Sequence, residues 1–184
     1  MILLIKTNKE SLHELEFVKP IENILKQNKI GFFTMHYSKL SMKIINSSEK
    51  IIICGTSLQD NEFAEDISKF KWIKDCEKPI LGICAGMQII SLVFGGKLDK
   101  KPEVGFYKEN FTKEFLGLKG EHEVYHLHNN YITFPKEFES FTESKILQAI
   151  KHKTKNIFGV LFHPEVRNKE LILNFINLKN NSII

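Results

Sequence analysis

Pro79-Ile80-Leu81-Gly82-Ile83-Cys84-Ala85-Gly86-Met87-Gln88 reads as the end of one element and the start of another. Pro79 to Ile83 is a short apolar run suited to a strand buried on both faces. Ala85 to Phe94 has the length and residue types of a helix, stopped by Gly95-Gly96. Cys84 therefore falls on a strand-to-helix turn, flanked two positions either side by Gly82 and Gly86. A sharp turn of this kind forces its central residue into a strained conformation and crowds its neighbours, so small residues are required there. It is a nucleophile elbow with cysteine where serine often stands. The sulfur would sit at the N-terminus of the helix, where the dipole favours negative charge. A cysteine between apolar residues is more often a small buried hydrophobe, so the elbow needs a second motif beside it.

The surroundings repeat the same alternation of strand and helix. Ile2 to Ile5 reads as a first strand. A segment of helical period follows, centred on Ile21, Ile24 and Leu25 and closed by Gly31. Phe32 to Met35 reads as a second strand, and Ile51-Ile52-Ile53, ending in Cys54-Gly55-Thr56, as a central one. Phe63 to Cys76 is expected to be helical. Runs around Val124 to Leu127, Ile146 to Ile150 and Ile157 to Phe162 look like strands, and Leu171 to Leu178 like a closing helix. Leu98 to Gly120 has no clear period. The expected fold is a doubly wound α/β sheet, mostly parallel and flanked by helices, with the site at the carboxyl ends of its strands.

The second motif is His163-Pro164-Glu165. Pro164 biases His163 toward extended backbone, in which residues two apart share a side. A histidine that takes and returns protons needs an acceptor to fix its tautomer, and Glu165 is placed to be one. Cys84, His163 and Glu165 together would make a thiol triad.

Length and composition set bounds. The chain has 184 residues, 42% hydrophobic and 26% charged, which suits a single folded domain spanning 1–184. Its net charge of +4 comes from dispersed lysines and not from a dense basic stripe, so no nucleic-acid partner is expected. The densest basic stretch, Lys151 to Lys155, reads as a solvated hairpin turn. Cys54, Cys76 and Cys84 lack metal-type spacing, and no signal peptide is recognised, so a cytoplasmic protein with reduced thiols is expected. Ile80 to Phe94 is too short and too polar to span a bilayer, and no membrane span is expected. Cys54 and Cys76, without a base or elbow nearby, read as structural.

Gly82-Ile-Cys-Ala-Gly-Met-Gln88 and Gly159-Val-Leu-Phe-His-Pro-Glu165 resemble, in order and in separation, the two signature motifs of class I glutamine amidotransferases. The resemblance implies that Cys84 attacks the side-chain amide of glutamine, with His163 and Glu165 completing the triad. It also implies an oxyanion loop after the central strand. The matching stretch, Cys54-Gly55-Thr56-Ser57, keeps one of the family's consecutive glycines, making Gly55 one candidate N–H donor and Ala85 the second by elbow geometry. Gln88 resembles a residue that helps hold the substrate; a helix-surface glutamine is the plainer alternative. Tyr125 to Asn130 lies where the family often carries a Ser-His pair, here with Leu127 in place of the serine, which gives His128 a minor site role.

His122, His126 and His128 invite a metal reading, but no Cys or Asp completes a set nearby in the chain, so no metal is expected. The implied chemistry needs no cofactor. The resemblance is strongest to the separate amidotransferase subunit of archaeal GMP synthase, through Ala149 to Lys155, Gly159-Val160 and His163 to Val166. With no nucleotide-binding motif in this stretch, an ATP-dependent synthetase subunit, of GMP synthase type, is the expected partner. Leu161 in place of a usual Gln, and Arg167 to Glu170 in place of a His-Thr and Gly segment, leave three readings open. These are an amidotransferase of another acceptor, a stand-alone glutamyl hydrolase, and a non-catalytic binding or regulatory relative.

Overall fold

Five strands lie parallel at the centre of the molecule because their residues are apolar on both faces and need cover on both. The computed structural model describes residues 1–133 and 135–179. In it β1 (Ile2–Lys6), β2 (Phe32–His36), β3 (Lys50–Ile53), β4 (Ile80–Ile83) and β9 (Ile157–Val160) pair in the order β2-β1-β3-β4-β9. Two antiparallel strands, β8 (Ala149–His152) and β7 (Phe138–Ser140), extend the sheet beyond β9. The fold is α/β, with a mostly parallel sheet between helices.

Alternate side chains feed two cores. Leu4, Ile52, Leu81 and Val160 pack with Ile21 and Leu25 of α2 (Lys19–Gln27) and Leu171 and Phe175 of α6 (Lys169–Asn177). Leu3, Ile5, Ile51, Ile53 and Ile80 face the other way, onto Ile45 of α3 (Met42–Asn46), Phe63 of α4 (Glu62–Glu65) and Met87, Ile89 and Ile90 of α5 (Ala85–Val93). A short helical turn, α1 (Glu14–Phe17), leads into α2.

The stretch without clear period forms an antiparallel hairpin of β5 (Leu98–Phe115) and β6 (Leu118–Ile132), with register shifts between Lys100 and Glu103 and between Phe111 and Phe115. Phe111, Phe115 and Val124 join the first core, and Tyr125 O and Leu127 O reach His163 and Cys84, which brings β6 across the carboxyl ends of the strands.

Three expectations are corrected. Helix α2 ends at Gln27 with Lys29 in the left-handed region at φ 56°, so Lys29 and not Gly31 makes the turn out of the helix. Phe63 to Cys76 is not one α-helix: α4 stops at Glu65 and Ile67–Asp75 is a 3-10 helix. The run Ile146 to Ile150 becomes a strand only from Ala149, and the turn at Lys153 to Asn156 then reverses β8 into β9. Among the described residues no helix is long and apolar enough to cross a membrane.

Candidate active site

Three adjacent parallel strands deliver the three parts of the site at one edge. Ile53 at the end of β3 pairs with Gly82, and Ile83 at the end of β4 pairs with Val160 at the end of β9. Gly55, Cys84 and His163, each one to three residues beyond its strand, therefore converge outside the carboxyl ends of the sheet. Cys84 holds φ 49° and ψ −104°, a conformation that costs a non-glycine residue energy and survives because its surroundings dictate it. Its N–H donates to Val160 O at 2.7 Å. A Cβ on Gly82 would lie 2.5 Å from the Gly86 carbonyl carbon, and one on Gly86 would lie 2.2 Å from Ile53 O. Both glycines are therefore steric requirements of the elbow.

His163 is oriented from both sides. Its N–H donates to Tyr125 O at 2.8 Å, and its Nδ1 lies 2.7 Å from Glu165 Oε1. Burial of the ring disfavours its charge, but the Glu165 carboxylate and the neighbouring Cys84 sulfur outweigh that and hold His163 well above its ordinary pKa. With Nδ1 engaged by Glu165, Nε2 has no hydrogen-bond partner, which leaves it open for proton transfer. The Cys84 thiol is placed to donate to Leu127 O at 3.6 Å and lies near enough to the His163 ring to raise its pKa.

Gly55 is fixed by its neighbours. A Cβ there would lie 2.8 Å from His163 Cε1 and 3.4 Å from Cys84 Cβ. The Thr7 hydroxyl is placed to donate to Cys54 O and Gly55 O at 3.1 and 3.3 Å, turning those carbonyls away and holding the loop. Asp60 Oδ2 accepts from Thr56 Oγ1 at 3.0 Å and from the Lys9 N–H at 2.5 Å, closing the same loop from behind. Ala85 is the first residue of α5, so its N–H has no intrahelical carbonyl to bond.

Gln88 is buried, not on a helix surface, and donates to Asn130 O at 2.8 Å. Asn129 Nδ2 donates to Leu58 O at 2.9 Å. These bonds draw the hairpin onto the loop after β3 and leave a cavity of about 20 Å³ between Thr56, Cys84, Gln88 and Leu127, which is room for about one water. His128 borders that cavity, but its Nε2 lies against Glu103, 3.2 Å from Oε2.

The residues singled out by sequence that meet here are Cys84, His163, Glu165, Gly55, Ala85 and Gln88. Thr7, Asp60, Leu58 and Asn129 join them without having been foreseen. Thr7 and Asp60 carry no motif, whereas Asn129 lies inside the Tyr125 to Asn130 stretch already placed near the site. Glu103 was equally unforeseen, and it completes a three-residue group with His126 and His128 from 23 residues away. Burial pushes both Cys54 and Cys76 up, which keeps them protonated.

A cysteine elbow, an open imidazole nitrogen backed by a carboxylate, and N–H groups beside the sulfur define an α/β protein equipped for thiol-based acyl transfer. Residues 14–179 match the model of the class-I glutamine amidotransferase family. A glutamine-hydrolysing GMP synthase subunit from Methanocaldococcus jannaschii is 33% identical over 159 residues, which cover 74% of this chain and 85% of that protein. Its counterpart from Methanosphaera stadtmanae is 38% identical over 122 residues, 59% of this chain and 65% of that one. In the GMP synthase of Petrotoga mobilis, 36% identical, the match spans only 29% of the longer protein. The solved structure of a protein from Thermoplasma acidophilum, described as a GMP synthase subunit, superposes with a TM-score of 0.83 at 25% identity, covering 95% of this chain and 91% of that one. The chain belongs to the class-I glutamine amidotransferases.

Proposed function

We propose that this chain hydrolyses glutamine to glutamate and ammonia through Cys84, His163 and Glu165, and that the ammonia is used by a synthetase subunit of GMP synthase type. The observation that carries the reading is the strained Cys84 elbow placed between Gly55 and the His163–Glu165 pair. The Cys84 sulfur attacks the amide carbon as its proton passes to His163 Nε2. The N–H groups of Gly55 and Ala85 receive the oxyanion of the tetrahedral intermediate. His163 returns the proton to the departing nitrogen, ammonia leaves, and a γ-glutamyl thioester remains. His163 then takes a proton from water, the hydroxide attacks the thioester, and glutamate departs as the thiol is regenerated. Glu165 holds the imidazole tautomer and stabilises its cation throughout. Gln88, buried on the cavity wall, is a contact for the substrate.

A cavity with room for about one water does not admit a glutamine side chain, so the Leu58–Asn129 contact must part before turnover. A partner that separates the hairpin from the loop would couple hydrolysis to use of the ammonia. The test is glutamate release from glutamine by the purified chain, alone and with a GMP-synthase-type synthetase subunit, ATP and XMP. Weak activity that rises in the complete mixture is expected. Full activity alone would favour an independent hydrolase, and no response to that synthetase would remove the GMP assignment.

A further inference from the structure

The hairpin holds a second cluster that the chemistry of Cys84 does not use. Glu103 on β5 faces His126 and His128, which lie two residues apart and so share one face of β6. Glu103 Oε2 is 3.0 Å from His126 Nδ1 and 3.2 Å from His128 Nε2. All three potential ligand atoms fall within 4.8 Å of one another. Both rings are buried, and neither nitrogen of His128 nor Nε2 of His126 has a hydrogen-bond partner.

A neutral imidazole carries a single N–H. His126 stands between two carboxylates, with Glu103 at Nδ1 and Glu109 Oε1 3.6 Å from Nε2, so its one N–H can serve only one of them. The cation in reach, Lys101, is half exposed and 3.5 Å from Glu103 Oε1.

We propose that Glu103, His126 and His128 form a binding site for a divalent transition metal of the zinc class. Two imidazole nitrogens and one carboxylate oxygen make a donor set that such ions take. Tetrahedral bonds of about 2.0–2.1 Å put neighbouring ligand atoms roughly 3.3 Å apart, so the edges of 3.0 and 3.2 Å need to open by only tenths of an ångström, and the edge between the two imidazole nitrogens lies within 4.8 Å. With Nδ1 on the ion, His126 directs its remaining N–H at Glu109, the carboxylate–histidine–metal arrangement that orients ligating imidazoles. The fourth position falls beside Gln148, whose Nε2 is 3.2 Å from Glu103 Oε2 and whose Oε1 is buried without a partner. Turning that amide over presents its oxygen to the ion. The site is independent of the catalytic reading, although Leu127, between two of its ligands, carries the carbonyl that faces Cys84.

Titration of the Cys84→Ser chain with Co²⁺, followed by visible absorption and calorimetry, tests the proposal without competition from the catalytic thiol. One Co²⁺ per chain is expected, with the visible bands of a low-coordinate site, displaced by Zn²⁺ and retained when His163→Ala is added. His128→Gln should abolish the bands. Glu109→Gln leaves all three ligands in place and should weaken binding by about tenfold, as loss of a ligand-orienting carboxylate does. Absence of stoichiometric binding by Cys84→Ser, or binding lost with His163→Ala and indifferent to His128→Gln, would overturn it.

Discussion

The carboxyl ends of β3, β4 and β9 and the β5–β6 hairpin meet at Cys84, but they are built on different physical terms. The sheet ends are set by close backbone approaches, such as the Gly86 contact with Ile53 O and the Cys84 N–H bond to Val160 O, and by residues buried on every side. The Leu127 to Asn130 segment of the hairpin meets them through single polar contacts: Leu127 O on the Cys84 thiol, Asn129 on Leu58, and Asn130 O on Gln88. Steric constraints of the first kind hold the reacting groups in place. Individual hydrogen bonds of the second kind are worth about 0.5–1.5 kcal/mol net, so this segment can part from the loop while Tyr125 O keeps its bond to the His163 N–H. The chemistry is assigned to the rigid region and its control to the weakly attached one.

Substitutions on the sheet side should have the largest effects. Cys84→Ala is expected to lower glutaminase turnover by roughly 10⁴-fold or more with the fold intact, because loss of a nucleophile leaves only binding and oxyanion stabilisation; steady-state glutamate release and a circular dichroism spectrum check both halves. Gly55→Ala puts a methyl group 2.8 Å from His163 Cε1, and a displaced N–H donor should cost roughly 10²–10³ in kcat with little change in KM.

Glu165→Gln separates catalysis from stability through pH. The folded pKa of His163 stands above its ordinary 6.5, so the stability it contributes is fully present below pH 6.5 and is lost as pH rises through the raised value. Removing the carboxylate should flatten that alkaline decline in melting temperature while also lowering kcat. An unchanged slope would mean that the pair does not hold the proton.

On the hairpin side the effect reverses in sign. Asn129→Ala removes the bond to Leu58 O, and the isolated chain should release glutamate several-fold faster, since breaking one hydrogen bond of about 1 kcal/mol favours the open form by that factor. A fall in activity would place Asn129 among the groups that hold substrate and would weaken the division between the two regions.

The same division explains what was legible in the sequence. Gly82, Cys84 and Gly86 form a local pattern whose steric cause is contained within five residues, and His163-Pro164-Glu165 is equally local. The buried strands Ile51 to Ile53 and Ile80 to Ile83 were visible because parallel strands covered on both faces are apolar throughout. The hairpin has no such run. Its exposed faces carry Lys and Glu, its pairing shifts register twice, and Glu103 meets His126 only across the turn. Thr7 and the Lys9 N–H act on the loop after β3 from a distant part of the chain through single hydrogen bonds, which no spacing rule encodes. The end of α2 was misplaced because Lys29 adopts the left-handed conformation usually left to glycine.

The central claim is that Cys84 forms the γ-glutamyl thioester. The most direct measurement is intact mass and peptide mapping after reaction with a chloroketone analogue of glutamine, repeated in the presence of excess glutamine. One adduct per chain on Cys84 is expected, suppressed by glutamine and absent from Cys84→Ala, with Cys54 and Cys76 unmodified because burial keeps them as thiols. An adduct on Cys54 or Cys76 that glutamine suppresses, with Cys84 untouched, would contradict the account.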